Sequence, residues 1–225
     1  MRLHIITSFY TSQNPLRNIE LEKSLLQNIQ SEHVEKIHLF VDDEHSRETL
    51  NGERFNSDKI NIIGIRKQPI YSDLFTYANT LVDKLCMITN SDIWVHSVED
   101  ARLLDNMPKN HVYALTRYEY NMTSPLIDDF HGSHDVFIFH SPVNQDMIKH
   151  LQHPQNEWGS EAVTVYELIR HGYTVLNPCR QIKIVHEHAS NERNADRVWL
   201  NRGGYDIDGI YKVRSAGSPP CRIEL

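Results

Sequence analysis

"MITNSDIWV", residues 87–95, is the stretch on which the fold turns. With Cys86 before it, Met87-Ile88-Thr89 reads as a short buried strand. Asn90, Ser91 and Asp92 stand at its tip, and the chain turns apolar again at Ile93. A carboxylate at the end of a buried strand is expensive to desolvate unless something pairs with it. Asp92 therefore either caps a turn, an ordinary role for aspartate, or holds a cation.

Outward from this stretch, strands and helices alternate. Residues 3–9 (LHIITSF), 36–41 (KIHLFV) and 60–65 (INIIGI) are apolar runs of strand length. Between the first two, Asn14-Pro15 supplies an N-cap and a proline at the first helical position. Leu16, Ile19, Leu26 and Ile29 mark a helical stripe reaching about residue 30. Ser72 caps a second helix carrying Leu74, Ala78, Leu81, Val82 and Leu85 on one face, beside which Tyr71, Phe75 and Tyr77 are packing aromatics. Beyond Asp92, a helix through 98–106, strands at 111–118 and 135–139, and a helix over 161–171, capped by Ser160 and stopped by Gly172, are expected. Strands at 173–177 and 182–188 close the core. Helical crossovers of this length require a mostly parallel sheet, an α/β architecture with one core over 1–225 and an irregular extension from about 201.

Composition narrows the function. The formal charge of −7 argues against a nucleic-acid or anionic-membrane surface, since both need a basic field. No apolar run approaches the ~20 residues that span a bilayer. Three widely spaced cysteines (Cys86, Cys179, Cys221) suggest reduced thiols, and hence a cytoplasmic protein. There is no glycine-rich phosphate loop and no nucleophile elbow.

In such a sheet, ligands bind beyond the carboxyl ends of the strands. The polar residues there are Thr7, Ser8 and Tyr10 after the first strand, Asp42 and Asp43 after the second, and Arg66 after the third. Asn90 and Asp92 end the fourth strand, Arg117 the fifth, and His186 and His188 the last. The two histidines of "HEH" at 186–188 share one strand face. Acids, imidazoles and guanidinium groups at one edge suit a divalent metal that binds a phosphorylated ligand. Oxygen ligands favour Mg2+ or Mn2+, and an added imidazole tilts the choice to Mn2+.

"IRKQPIYSDLFTYAN", "TNSDIWV", "ALTRYE", "GSHDVFIF", "WGSEAVTVYEL", "HGYTVLNP" and "IKIVHEHASNERN" follow the first strand in that order. Over roughly residues 3–194 this order resembles the compact GT-A glycosyltransferases related to glycosyltransferase domains of large DNA viruses. The resemblance implies a Rossmann-like nucleotide-diphospho-sugar fold that moves a sugar from a UDP- or GDP-linked donor to a hydroxyl of a glycan or other acceptor, usually with Mn2+. "NSD" would occupy the place of the Asp-x-Asp metal motif, with Asn90 in place of its first acid. The implied metal ligands are Asp92 with His186 or His188. Thr7, Ser8, Tyr10, Arg66, Asn79, Asn90 and Arg117 would meet the nucleotide-sugar. In an inverting enzyme Glu161 would be the general base, with Asp135 its rival or a contact to the donor sugar. Trp158 and Trp199 are candidates to stack on a sugar ring.

Structural readings stand beside these. Glu161 in a first helical turn is favoured by the helix dipole alone, and Arg66 and Arg117 suit surface ion pairs. Two other functions fit some residues: a metal-dependent phosphoester hydrolase using "HEH" with Asp92 and Asp135, and a non-catalytic sugar-nucleotide-binding domain.

Overall fold

The computed structural model describes residues 1–120, 134–190 and 192, with the backbone of 205–207 and 210–212. In chain order the first half comprises β1 (Leu3–Ser8), α1 (Pro15–Gln30), β2 (Val34–Val41), α2 (Glu44–Leu50), β3 (Ile60–Gly64), α3 (Tyr71–Ala78), β4 (Leu85–Thr89), β5 (Ile93–Val98) and α4 (Arg102–Asp105). The second half comprises β6 (His111–Leu115), β7 (Tyr118–Glu119), β8 (Val136–His140), α5 (Gln145–Lys149), α6 (Ser160–Arg170), β9 (Thr174–Leu176), β10 (Ile182–His186), β11 (Tyr205–Ile207) and β12 (Ile210–Lys212).

Seven strands form the central sheet in the order β3-β2-β1-β4-β8-β6-β9. Its pairings are parallel except those of β8, which runs antiparallel to both β4 and β6. Successive residues point to opposite faces of a strand. Ile5, Met87 and Ile138 thus enter the core beneath α1 and β5, while Ile6, Ile88 and Phe137 enter the one beneath α3 and α6. A second sheet, β5-β10-β7, follows on from the carboxyl end of β4 and shares the α1-side core through Ile93, Val95, Ile182 and Ile184. β11 and β12 make a hairpin within the stretch expected to be irregular.

Several local expectations change. Asn14 does cap α1, its Oδ1 accepting from Leu16 N at 3.0 Å. The buried face, however, is Arg17, Glu20, Leu21, Ser24, Leu25 and Asn28, whereas Leu16 and Ile19 are 62% and 59% exposed. The apolar stripe misleads because ionic and amide groups on the inner face find partners inside the protein. α3 begins at Tyr71, with Asp73 Oδ2 accepting from Ile70 N at 3.0 Å, and ends at Ala78. Val82 is left exposed and Leu85 opens β4. Gly159, in the left-handed region at φ +83°, precedes α6, so Ser160 is its first residue rather than its cap. Gly172 at φ +87° ends it as expected. The 111–118 segment breaks into β6 and β7, and β5 adds a strand after Asp92.

Candidate active site

The turn 90–92 ends β4 and the chain returns as β5, whose antiparallel partner is β10. The pairing sets His186 opposite Ile93, and Glu187 N donates to Asp92 O at 2.8 Å. This register delivers "HEH" to Asp92. His186 and His188 lie on one face with rings stacked 5.0 Å apart, while Glu187 faces away and accepts from Trp94 Nε1.

Asp92 is 4% exposed. Its Oδ2 lies 3.1 Å from His186 Nε2 and 3.3 Å from His188 Nδ1, and it accepts from Arg17 Nη2 at 2.7 Å. Burial opposes ionisation of this carboxyl, but the two imidazoles and the guanidinium hold it well below the usual carboxylate range. Burial likewise works against a charged His186, yet Asp92 and Glu119 raise it to about 9. One donor atom from each of Asp92, His186 and His188 lies within 4.8 Å of the others. His188 Nε2 is buried with no hydrogen-bond partner among the described residues. A carboxylate, two imidazoles and an orphaned ring nitrogen fit a divalent cation of the Mn2+ type.

Contacts continue away from Asp92 along the sheet edge. His186 Nδ1 lies 3.4 Å from Glu119 Oε2, and Arg117 Nε donates to Glu119 Oε1 at 3.2 Å. Arg117 Nη1 donates to both carboxylate oxygens of Asp135, at 2.9 and 2.7 Å, and Asn90 Nδ2 donates to Asp135 Oδ1 at 3.2 Å. The hydrogen bond from His186, with Arg117 nearby, takes the Glu119 carboxyl down to about 2. Glu161 stands beside Asp135 in the first turn of α6. Burial, and then the Asp135 charge, push its carboxyl up to about 8. A carboxyl raised in this way is equipped for proton transfer near neutral pH.

The remaining expected residues divide. Thr7 Oγ1 donates to Thr89 O at 2.8 Å, and Ser8 Oγ lies 3.0 Å from Ser91 Oγ, so both lace β1 to the tip of β4. Tyr10 OH accepts from Arg17 Nε at 3.1 Å. Asn79 stands apart, at the amino end of the sheet, its amide clamped to the backbone of Val143 through both its oxygen and its nitrogen. Arg66 is exposed beyond the edge strand β3, three strands from β4, or about 14 Å at ordinary strand spacing. It lines a shallow depression with Lys67, Asp73 and Tyr77. Trp158 is 37% exposed, and Trp199 lies outside the described residues. Tyr71 and Phe75 are core residues as expected.

Two members of the edge escaped the sequence reading. Arg17 is buried between Asp92, Glu20 and His188, and Glu119 links Arg117 to His186. Arg17 was detectable only through its spacing to Leu21, Leu25 and Asn28 on one helical face.

No protein-family model and no curated protein sequence matches this chain. Solved structures do. It superposes on a mannosyltransferase, PcManGT from Pyrobaculum calidifontis in complex with GDP-Man and Mn2+, at a TM-score of 0.51 and 12% identity over 84% of this chain and 58% of that one. It superposes on S. aureus TarS 1-349 in complex with UDP-GlcNAc at a TM-score of 0.57 and 7% identity, over 88% of this chain and 62% of that one. The fold is GT-A. In both comparisons the chain spans only about three-fifths of the other's length. The GT-A assignment accounts for the sheet order. Among the described residues no helix is long and apolar enough to cross a membrane, and Cys86 and Cys179 are buried.

Proposed function

We propose that this chain is a metal-dependent glycosyltransferase that moves a sugar from a nucleoside-diphosphate donor, a UDP-sugar foremost, to an acceptor hydroxyl with inversion. The observation that carries the reading is the pairing of two unlike sites on one GT-A sheet edge. Asp92 lies with two imidazoles at one end, and Glu161 has a raised pKa beside Asp135 at the other. The solved GT-A structures that hold GDP-Man with Mn2+ and UDP-GlcNAc support the donor class.

Asp92, His186 and His188 would hold the Mn2+ or Mg2+, which when bound neutralises the charge that builds on a departing diphosphate. Arg17 fixes the Asp92 carboxylate and adds a permanent positive charge beside it. Thr7, Ser8, Tyr10 and Asn90 border the space for the nucleotide-sugar. Arg117 holds Asp135 in place for the sugar hydroxyls. Glu161 accepts the proton of the attacking acceptor hydroxyl, and burial suits it to do so near neutral pH. The hydrolase reading needs Asp135 among the metal ligands, but Asp135 is instead engaged by Arg117 and Asn90.

Calorimetry with UDP and with GDP, in Mn2+ and again in EDTA, tests the reading. Binding of one nucleotide in Mn2+ and its loss in EDTA is the expected outcome. A folded sample that binds neither nucleotide would overturn it.

A further inference from the structure

α6 begins at the catalytic edge with Glu161 and runs away from it. Glu167 lies toward its far end and His171 caps that end, about 15 Å from Glu161 along the axis. His150 caps the end of α5 next to them. One donor atom from each of His150, Glu167 and His171 lies within 4.8 Å of the others.

The surroundings of these side chains suit metal ligation. Glu167 is fully buried, and Arg170 Nη1 and His171 Nδ1 both stand 3.6 Å from its Oε2. His171 Nδ1 is also 2.8 Å from the carbonyl oxygen of Glu167. A carbonyl can only accept, so Nδ1 carries the proton there. A neutral ring then keeps its lone pair at Nε2, the arrangement in which metal-binding histidines are oriented by a backbone acceptor. The rings of His150 and His171 face each other at 5.6 Å and 36°. Both histidines are half-buried, which leaves a path to solvent, and Arg170 is exposed enough to turn outward as a cation enters.

We propose that His150, Glu167 and His171 form a second divalent-metal site, separate from Asp92, that ties the end of α5 to the end of α6. Two imidazoles and one carboxylate are the donor set of three-ligand Zn2+ sites, which leave one position for water. The set disfavours Mg2+ and Ca2+, which take oxygen ligands. The site takes no part in sugar transfer.

Calorimetric Zn2+ titration of the full chain and of His150→Ala tests the proposal. His150 sits at the outer end of a short helix, so its truncation leaves the core intact. The expected result is one fewer equivalent of Zn2+ in His150→Ala. His171→Gln should lose the same equivalent, while Asp92→Asn should retain it. Identical Zn2+ stoichiometry and affinity in the parent, His150→Ala and His171→Gln would overturn the proposal.

Discussion

At the residue scale, the site rests on carboxylates whose ionisation is set by their neighbours. Asp92 balances Arg17 and a charged His186 in a buried setting, and removing one partner of such a pair costs about 3–5 kcal/mol because the others remain unpaired. Asp92→Asn should therefore lower the unfolding free energy by about that amount in metal-free protein, as read by urea titration. The pH dependence follows from His186, raised from 6.5 to about 9 by its acidic neighbours against the effect of burial. Its stabilisation is complete below 6.5 and is lost as pH rises through about 9. In EDTA the urea midpoint should fall across that window, and Asp92→Asn should flatten the fall. As the proposed general base, Glu161 behaves differently, because a base acts only without its proton. With its carboxyl pushed up to about 8, kcat/KM should climb with pH through that value and level off above it. Glu161→Gln should bind donor normally and lose transfer by about 10²–10⁴-fold. Asp135→Asn removes the like charge but not the burial, so the ascending limb should move only part of the way back toward 4.5. A profile flat across neutral and mildly alkaline pH would remove Glu161 from the mechanism.

At the element scale, α1 joins the two sheets through buried polar groups as well as through Leu21 and Leu25. Asn28 Nδ2 donates to Ile93 O at 2.9 Å, and Asn28 Oδ1 accepts from Val95 N at 3.0 Å. One buried amide thus takes the place of a neighbouring strand along the free edge of β5, the strand that presents Asp92 to β10. Asn28→Ala leaves a buried N–H and a buried C=O without partners, each worth about 1–3 kcal/mol. It should destabilise the chain by about 2 kcal/mol or more in urea titration, and more than Leu26→Ala does, although Leu26 is the more apolar residue. The same feature marks how far the sequence could be read. Asn14-Pro15, Gly172 and the apolar strands declare themselves locally, because capping and burial act within a few residues. Asp92 and "HEH" were legible as ligand types, since period-2 spacing puts both imidazoles on one face. Arg17 and Glu119 were not, because a charged residue reads as solvated until the partner that buries it is known. Asn79 misled in the opposite sense. Its polar side chain follows a helix that leads away from the catalytic edge, and topology alone shows that. The antiparallel direction of β8 was equally hidden, since an apolar strand carries no mark of its own polarity.

At the scale of the whole molecule, the candidate catalytic edge is a seam between two sheets. Thr7, Asn90 and Asp135 belong to the seven-stranded sheet and the turns that end its strands, whereas His186 and Glu119 ride on the three-stranded one. The described contacts across the seam at this edge are mostly ionic, and a donor with its cation would add ligands from both sides at once. Such a ligand acts on global stability, because it binds only when both sheets are in place. At a concentration one hundred times Kd, binding contributes about 2.7 kcal/mol. For a chain of this size that corresponds to a rise in Tm of about 5–10 °C. Thermal melts should show the full rise with nucleotide and Mn2+ together and little with nucleotide in EDTA. Asp92→Asn should lose the metal-dependent part, because the residue lies on the seam. Asn79→Ala should lower the baseline Tm but keep the ligand-induced rise, since its clamp to Val143 lies at the opposite end of the sheet. A rise that survives EDTA and Asp92→Asn unchanged would show that the nucleotide is held by α1 and the β1 loop without a metal, with Arg17 supplying the positive charge.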